Sequence, residues 1–432
     1  MTTRTSIAVV ALFLLPAGAG FAQNEVYLQV TTPGLQRVVV AAPPFVPRPG
    51  ADAAAVAAFT SALTRDLEQT AVLALLPADR IALVEVDPKN ANLTRQRWRA
   101  VGAQFLLEGS VAGAGSQFVC EARLWDLASG EVAYSRRLQS PAALAPTVAH
   151  TLANELVNLF TGRPGPFLSR IAFVSDRSGA KEIWVMRWDG GEPQQLTSHR
   201  SIAVGPAWSP DGAHLAFTSF LAGRPALYLL KPTEGYMRPL SEGPGVNSSP
   251  SFSPDGRRVA FAAGADGNTD IVVASLDGGT VERLTSGRSI ETQPAWSPNG
   301  RQIAFTSTAA GTPQLFVMDA EGTNVRRLTF EDRFADEAAW APDGVRLAYT
   351  TLVEGRFQIA ILDIRTGTRT VVAGPGNNES PCWSPDGTML AFASNRTGTK
   401  QVYVTDPAGV ARAITDTGNN SQPVWVAQLP AR

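Results

Sequence analysis

One short phrase recurs five times at almost constant intervals: Trp208-Ser-Pro-Asp-Gly212, Phe252-Ser-Pro-Asp-Gly256, Trp296-Ser-Pro-Asn-Gly300, Trp340-Ala-Pro-Asp-Gly344 and Trp383-Ser-Pro-Asp-Gly387. The aromatic residues stand at 208, 252, 296, 340 and 383, in steps of 44, 44, 44 and 43 residues. A repeat of this length holding about four short strands is the sequence signature of a β-propeller blade. Each unit also carries a small-aromatic strand core, six in all: Ile171–Ser175, Leu215–Ser219, Val259–Ala263, Ile303–Ser307, Leu347–Thr351 and Leu390–Ser394. Their nearly continuous apolar character fits strands covered on both faces by neighbouring blades. Six cores stand against five complete aromatic-plus-turn units. The mismatch predicts that Pro423-Val-Trp425, a step of 42 beyond Trp383, folds back onto the blade that starts at Ile171. The ring then closes with no sheet edge exposed.

The region ahead of the repeats reads differently. Arg4 followed by the apolar run Ile7–Leu15 and the small residues Ala17–Ala22 reads as a secretory signal peptide over 1–22, too short for a membrane span. No cysteine lies near the cleavage region, so a lipid anchor is not expected, and the exported chain starts near Gln23. Residues 23–162 mix strand and helix patterns and predict a small N-terminal α/β domain. Asp52 is placed to cap a helix carrying Val56, Phe59, Leu63 and Leu67. Gln117–Asp126 and Glu131–Leu138 read as a hairpin, and Ser140-Pro141 reads as the start of a helix bearing Leu144, Val148, Leu152, Leu156 and Leu159. Residues 163–169 form the expected linker, and 170–432 an all-β six-bladed propeller closed by the C-terminal strand.

Composition narrows the function. The formal net charge of −1 gives no electrostatic basis for binding nucleic acid or an anionic membrane. The two cysteines, Cys120 and Cys382, read as small buried hydrophobes rather than a disulfide. The three histidines, His150, His199 and His214, lack metal-ligand spacing and read as structural or surface residues. No Gly-x-Ser-x-Gly elbow, phosphate loop or His-Glu-x-x-His motif occurs. No hydrolase domain is expected after the last blade. We therefore expect no catalytic residues, no cofactor and no metal ligands. Asp266-Gly-Asn268-Thr-Asp270 alternates oxygen donors as calcium loops do, but equivalent repeats hold Asp176–Gly179 or Asn395–Gly398, so it reads as a polar hairpin turn.

What remains is the channel. The segments entering the innermost strands surround one mouth: 203–205, 247–249, 291–293, 335–337, 377–380 and 419–422. They are small or polar, with Glu291, Asp336, Glu337 and Glu379 as the acids. As a ring they suit the docking of a polar peptide or a protein loop.

The signal peptide, the α/β domain and the six repeats together resemble the TolB family of the Tol–Pal system of Gram-negative bacteria. The likeness also rests on Glu25-Val-Tyr-Leu-Gln-Val30, on Val39–Phe45, on Gly102–Gly109 and on the entry Ser169-Arg-Ile-Ala-Phe173. The resemblance implies a non-enzymatic periplasmic adaptor, monomeric on its own, that helps keep the outer membrane intact and drawn in during division, and that some colicins exploit for import. It implies a Pal-like peptidoglycan-associated lipoprotein at the propeller mouth, on Val246, Asn247, Ser249, Glu291, Thr292 and Gln293, with Asp336, Glu337, Asn378, Glu379 and Asn420 completing the ring. It implies a TolA-like inner-membrane protein binding the N-terminal segment at Asn24, Glu25, Val26, Tyr27 and Leu28. The chain departs from the pattern at Ala338-Ala-Trp340, at the apolar Val246, and in its last strand. An exported propeller binding another envelope protein or a glycan is the alternative, and a propeller enzyme a more distant one.

Overall fold

The computed structural model describes residues 37–429 except 88, 115, 242, 244, 265, 266, 278–280, 373 and 406–410. The signal-peptide reading, the segment Glu25–Val30 and the TolA-facing residues Asn24–Leu28 lie outside the described residues.

In the N-terminal domain, strands β1 (Val38–Ala41), β2 (Val46–Pro47), β3 (Leu73–Leu75), β4 (Phe105–Ala114), β5 (Gln117–Asp126) and β6 (Val132–Pro141) form one sheet. Its order is β3-β1-β4-β5-β6, with β2 added beside β4. The pairings of β1 with β3 and β4 are parallel, and β4-β5-β6 is an antiparallel meander. Helix α1 (Ala53–Glu68) starts where Asp52 Oδ1 accepts the Ala55 N–H at 2.7 Å, the cap foreseen from sequence. Two further helices, α2 (Ala78–Ile81) and α3 (Ala91–Ala100), precede β4; Asn90 caps α3 through the Leu93 N–H. Helix α4 (Ala145–Thr161) ends at Gly162, whose φ of 70° is the left-handed conformation glycine adopts without steric cost. Strand alternation divides the core. Leu107 faces α1 and α4 together with Phe59, Leu67, Leu152 and Leu156, whereas Leu106 packs with Trp98, Leu76 and Leu127.

One expectation fails here. Ser140-Pro141 does not open a helix: β6 runs through Pro141, with Ser140 opposite Phe118. A single 3-10 turn, Ala142–Leu144, intervenes, and α4 starts at Ala145 with no side-chain cap. Leu144 is consequently exposed, while Val148, Leu152 and Leu156 stay buried. Pairing to β5 satisfies backbone groups that an isolated Ser-Pro signal leaves unassigned, so the local helix cue loses.

Six four-stranded antiparallel sheets follow. Numbering blades from the one that starts at Arg170, the inner strands of blades 2 to 6 are Ala203–Trp208, Val246–Phe252, Glu291–Trp296, Ala335–Trp340 and Asn378–Trp383. Blade 1 takes its inner strand from the chain's far end: Asn420–Val426 pairs with Arg170–Ser175, Asn420 opposite Ser175 and Trp425 opposite Ile171. The strap predicted from the repeat count thus closes the ring. Each Ser-Pro-Asp-Gly turn is built alike. In the first, Ser209 Oγ donates to Asp211 Oδ1 at 2.5 Å, Asp211 Oδ1 accepts the Ala213 N–H, and the Gly212 N–H returns to Ser209 O. The glycine φ lies between 69° and 73° in all five copies, which is why glycine ends the phrase.

The two domains share one core. Phe160 of α4 belongs to the same buried cluster as Phe167 of the linker and Trp188, Met389, Ile414 and Trp425 of blades 1 and 6. Arg65 of α1 reaches Asp189 of blade 1 at 3.0 Å, and Arg187 holds the other carboxylate oxygen at 3.1 Å.

Candidate functional site

The six inner strands enclose a tunnel of about 340 Å3, lined by Gly205, Ser249, Gln293, Glu337, Ser380 and Gln422 and by the triplets after them, Pro-x-aromatic in five blades and Ala338-Ala-Trp340 in the other. Every one of these strands is bulged at the same place. The bulged residues have φ between 50° and 60°, unusual for the five that are not glycine. The bulge turns their side chains around the tunnel rather than along the strand. Gln422 Oε1 accepts the Gly205 N–H of the next blade at 2.9 Å. Glu337 accepts the Ser380 N–H at 2.7 Å and the Ser380 hydroxyl at 2.9 Å, again one blade on, and also the Thr350 hydroxyl. These bonds tie neighbouring blades together at the narrowest ring.

Asp336, beside Glu337, accepts the Thr306 hydroxyl at 2.7 Å and the Glu337 N–H at 2.8 Å. Burial raises the pKa of both carboxyls above the ordinary range, against the hydrogen bonds that favour their ionised forms; for Glu337 the neighbouring Asp336 charge acts in the same direction as burial.

The predicted mouth residues separate into four environments. Asn247, Glu291, Asn378 and Asn420 are buried between blades. Asn247 accepts from Ser241 and donates to Gly243 O; Glu291 accepts the Ser307 hydroxyl at 2.9 Å. Asn378 donates to Gln358 at 2.9 Å, and Asn420 to Gln401 at 2.7 Å. These four sit where inner-strand side chains point into the blade junction, out of a partner's reach in this structure. Ser249, Gln293, Asp336 and Glu337 are partly buried around the tunnel, with Thr292 beside them. Glu379 forms an ion pair with Lys400. Val246 alone stands clearly outward, at 39% exposure.

Sequence reading missed the neighbours of Val246. Ile202 and Ile290 occupy the same register position in blades 2 and 4, one residue before the buried inner-strand residue, and are 44% and 43% exposed. Three successive blades therefore present an aliphatic side chain at the rim, while the equivalents in blades 6 and 1 are Asn377 and Asn419. The signal was available in the repeat register and was masked by attention to polar residues.

Among the described residues, no three His, Cys, Asp or Glu side chains gather in metal-ligating range, and no helix is long and apolar enough to cross a membrane. The two cysteines are free.

Fold and site define a class: a two-domain protein in which a six-bladed β-propeller with a polar tunnel shares a core with a small α/β domain. Residues 157–429 match the model of the TolB beta propeller domain, and residues 26–133 that of the TolB amino-terminal domain. The chain belongs to the TolB family. It is 35% identical over 210 residues to the Tol-Pal system protein TolB of Syntrophotalea carbinolica, spanning 47% of each chain. It is 34% identical over 221 residues to the Tol-Pal system protein TolB of Desulfosudis oleivorans, spanning half of each. The matched stretch thus covers about half the length of these curated relatives. The crystal structure of TolB from Acinetobacter baumannii superposes with a TM-score of 0.78 at 26% identity, covering 90% of this chain and 97% of that one.

Proposed function

We propose that this protein is a non-enzymatic periplasmic adaptor of a Tol–Pal-type envelope complex, in which the propeller mouth docks a peptidoglycan-associated lipoprotein of the Pal type. The observation that carries this reading is the rim: Ile202, Val246 and Ile290 form an exposed aliphatic arc beside Thr292 and the tunnel residues Ser249 and Gln293. An apolar centre flanked by polar groups is the anatomy of a protein-docking patch. The N-terminal segment around Asn24–Leu28 serves a TolA-like inner-membrane protein in this reading, and the complex supports outer-membrane integrity and constriction at division. Membership of the family and the names of its Tol-Pal relatives support the assignment.

Calorimetric titration of residues 23–432 with the periplasmic domain of the Pal-like lipoprotein from the same organism tests it. Saturable binding that Val246→Asp and Thr292→Arg each weaken at least about tenfold, a loss of about 1.4 kcal/mol, is the expected result. No binding by the folded protein overturns it.

A further inference from the structure

At two blade junctions the same polar clasp recurs. Asn378 of blade 6 donates its side-chain amide to Gln358 of blade 5 at 2.9 Å, and Asn420 of blade 1 donates to Gln401 of blade 6 at 2.7 Å. Each clasp is completed by an arginine two residues after the serine that pairs with the asparagine, Ser394 or Ser175: Arg396 reaches Asn378 Oδ1 at 2.9 Å, and Arg177 reaches Asn420 Oδ1 at 3.1 Å. Every polar atom at these seams has a neutral or oppositely charged partner.

The junction between blades 3 and 4 keeps the positions and inverts the chemistry. By register, Glu291 occupies the place of Asn378 and Asn420, each paired with a serine of the second strand: Ser307, Ser394 and Ser175. Asp270 occupies the place of Gln358 and Gln401. A short amide facing a long one has become a long acid facing a short one, so the reach across the seam is kept while both donors are gone. The completing arginine is gone too, because the third position is Ala309, whose N–H bonds Ser307 Oγ as those of Arg177 and Arg396 bond their serines.

Three oxygens are left buried without a hydrogen-bond partner: Glu291 Oε2, Asp270 Oδ1 and Asn268 Oδ1. Glu291 and Asp270 are only 5% and 4% exposed. Arg283 pairs with the other oxygen of Asp270, and Ser307 with the other oxygen of Glu291. The Asn268 amide nitrogen is committed to Gly287 O at 2.9 Å, which fixes its oxygen on the opposite side. Backbone bonds hold the two segments together: the Glu291 N–H to Thr269 O, and the Thr269 hydroxyl to Glu291 O, both at 2.9 Å.

A buried Glu291 carboxylate with one oxygen on a serine hydroxyl and the other on nothing, in register beside an Asp270 oxygen that the Arg283 pair leaves unsatisfied, is unfavourable unless a further cation lies with it. We propose that Asn268, Asp270 and Glu291 form a calcium site that clamps blade 3 to blade 4. Carboxylate and carboxamide oxygens with water completing six to eight ligands are what this ion takes, and oxygen-only donors do not select zinc or copper. Glu291 and Asp270 supply the negative charge, Asp270 sharing its own with Arg283. The site lies in the seam behind Thr292 and is separate from the acids of the tunnel.

The test is calcium titration of the purified full-length protein after chelator treatment, by calorimetry and thermal melting, up to about 10 mM, which covers the range of extracellular calcium modules. One ion per chain and a rise in Tm of a few degrees are expected. Glu291→Gln supplies an amide that can donate to Asp270 as Asn378 does to Gln358, so it folds, melts at or above the calcium-free parent and no longer responds to calcium. Asp270→Asn likewise loses the response. A folded parent that binds no calcium overturns the proposal. Calcium binding that survives Glu291→Gln and Asp270→Asn, or that is lost only in Asp336→Asn, also overturns it.

Discussion

Asp66 of α1 and His150 of α4 meet in the interior of the α/β domain, Oδ2 to Nδ1 at 2.5 Å, with neither side chain more than 2% exposed. Their helices pack against each other on the face that continues into the propeller, so this pair is buried near the joint between the domains. Burial pushes the Asp66 carboxyl up, with the His150 hydrogen bond acting against it. His150→Ala removes one partner and leaves an uncompensated buried carboxylate, a class of change that costs about 3–5 kcal/mol. We expect a large fall in Tm, and substantial recovery in Asp66→Leu/His150→Leu, where no charge is stranded. Melting of the single and double variants decides it.

Glu337 yields a pH signature. Its folded-state pKa is raised above the ordinary range of a glutamate, chiefly by burial. The folded state therefore holds the proton more tightly than the unfolded one, and the ionised form costs stability above the folded pKa. That cost fades as pH falls through the folded pKa and is gone below the unfolded one. Glu337→Gln keeps an acceptor for the Ser380 N–H and carries no charge. The expected outcome is a stability difference, variant minus parent, that is most favourable to the variant at neutral pH and shrinks on acidification. Denaturant titrations across that window measure it.

The repeated glycines are not equivalent. A Cβ on Gly344 would meet nothing within 4 Å, whereas one on Gly212 would lie 2.4 Å from the Gln428 carbonyl oxygen of the closing segment. Both glycines are left-handed, at φ 70° and 69°. Gly344→Ala should cost about 1 kcal/mol from the conformation alone. Gly212→Ala should cost clearly more and loosen the C-terminal strap, visible as faster amide exchange in 420–426.

Ring closure depends on seven residues far from the rest of their blade. Removing everything after Gly418 takes away Asn420–Val426, leaves the Arg170–Ser175 edge unpaired and removes Trp425 from the shared core. The truncated chain is expected to lose its single cooperative transition and to aggregate through the open edge. A soluble, cooperatively melting product would contradict this.

The phrase Trp-Ser-Pro-Asp-Gly was enough to read the architecture, because its information is local and repeated. A 44-residue period can be filled by few folds, the proline and glycine demand a turn with one left-handed residue, and six strand cores against five turns call for a C-terminal closure. The Ser140-Pro141 helix cue fails for the complementary reason: a local signal gives way to nine residue pairs between β5 and β6.

The mouth could not be read in the same way. Neighbouring positions on an inner strand point to different environments, and a bulge shifts that alternation by one residue. Asn247 and Val246 are adjacent in the chain, yet one is sealed between blades and the other faces outward. The contacts that set Glu291 against Thr269, Glu337 against Ser380 and His150 against Asp66 join residues far apart in sequence through blade and helix packing. The sequence by itself determined the blades, their number and their closure, since those follow from periodic patterning and turn chemistry. Which polar side chains are clasped, which are stranded and which are presented was decided only by tertiary structure, because burial and partnership are properties of the space between elements.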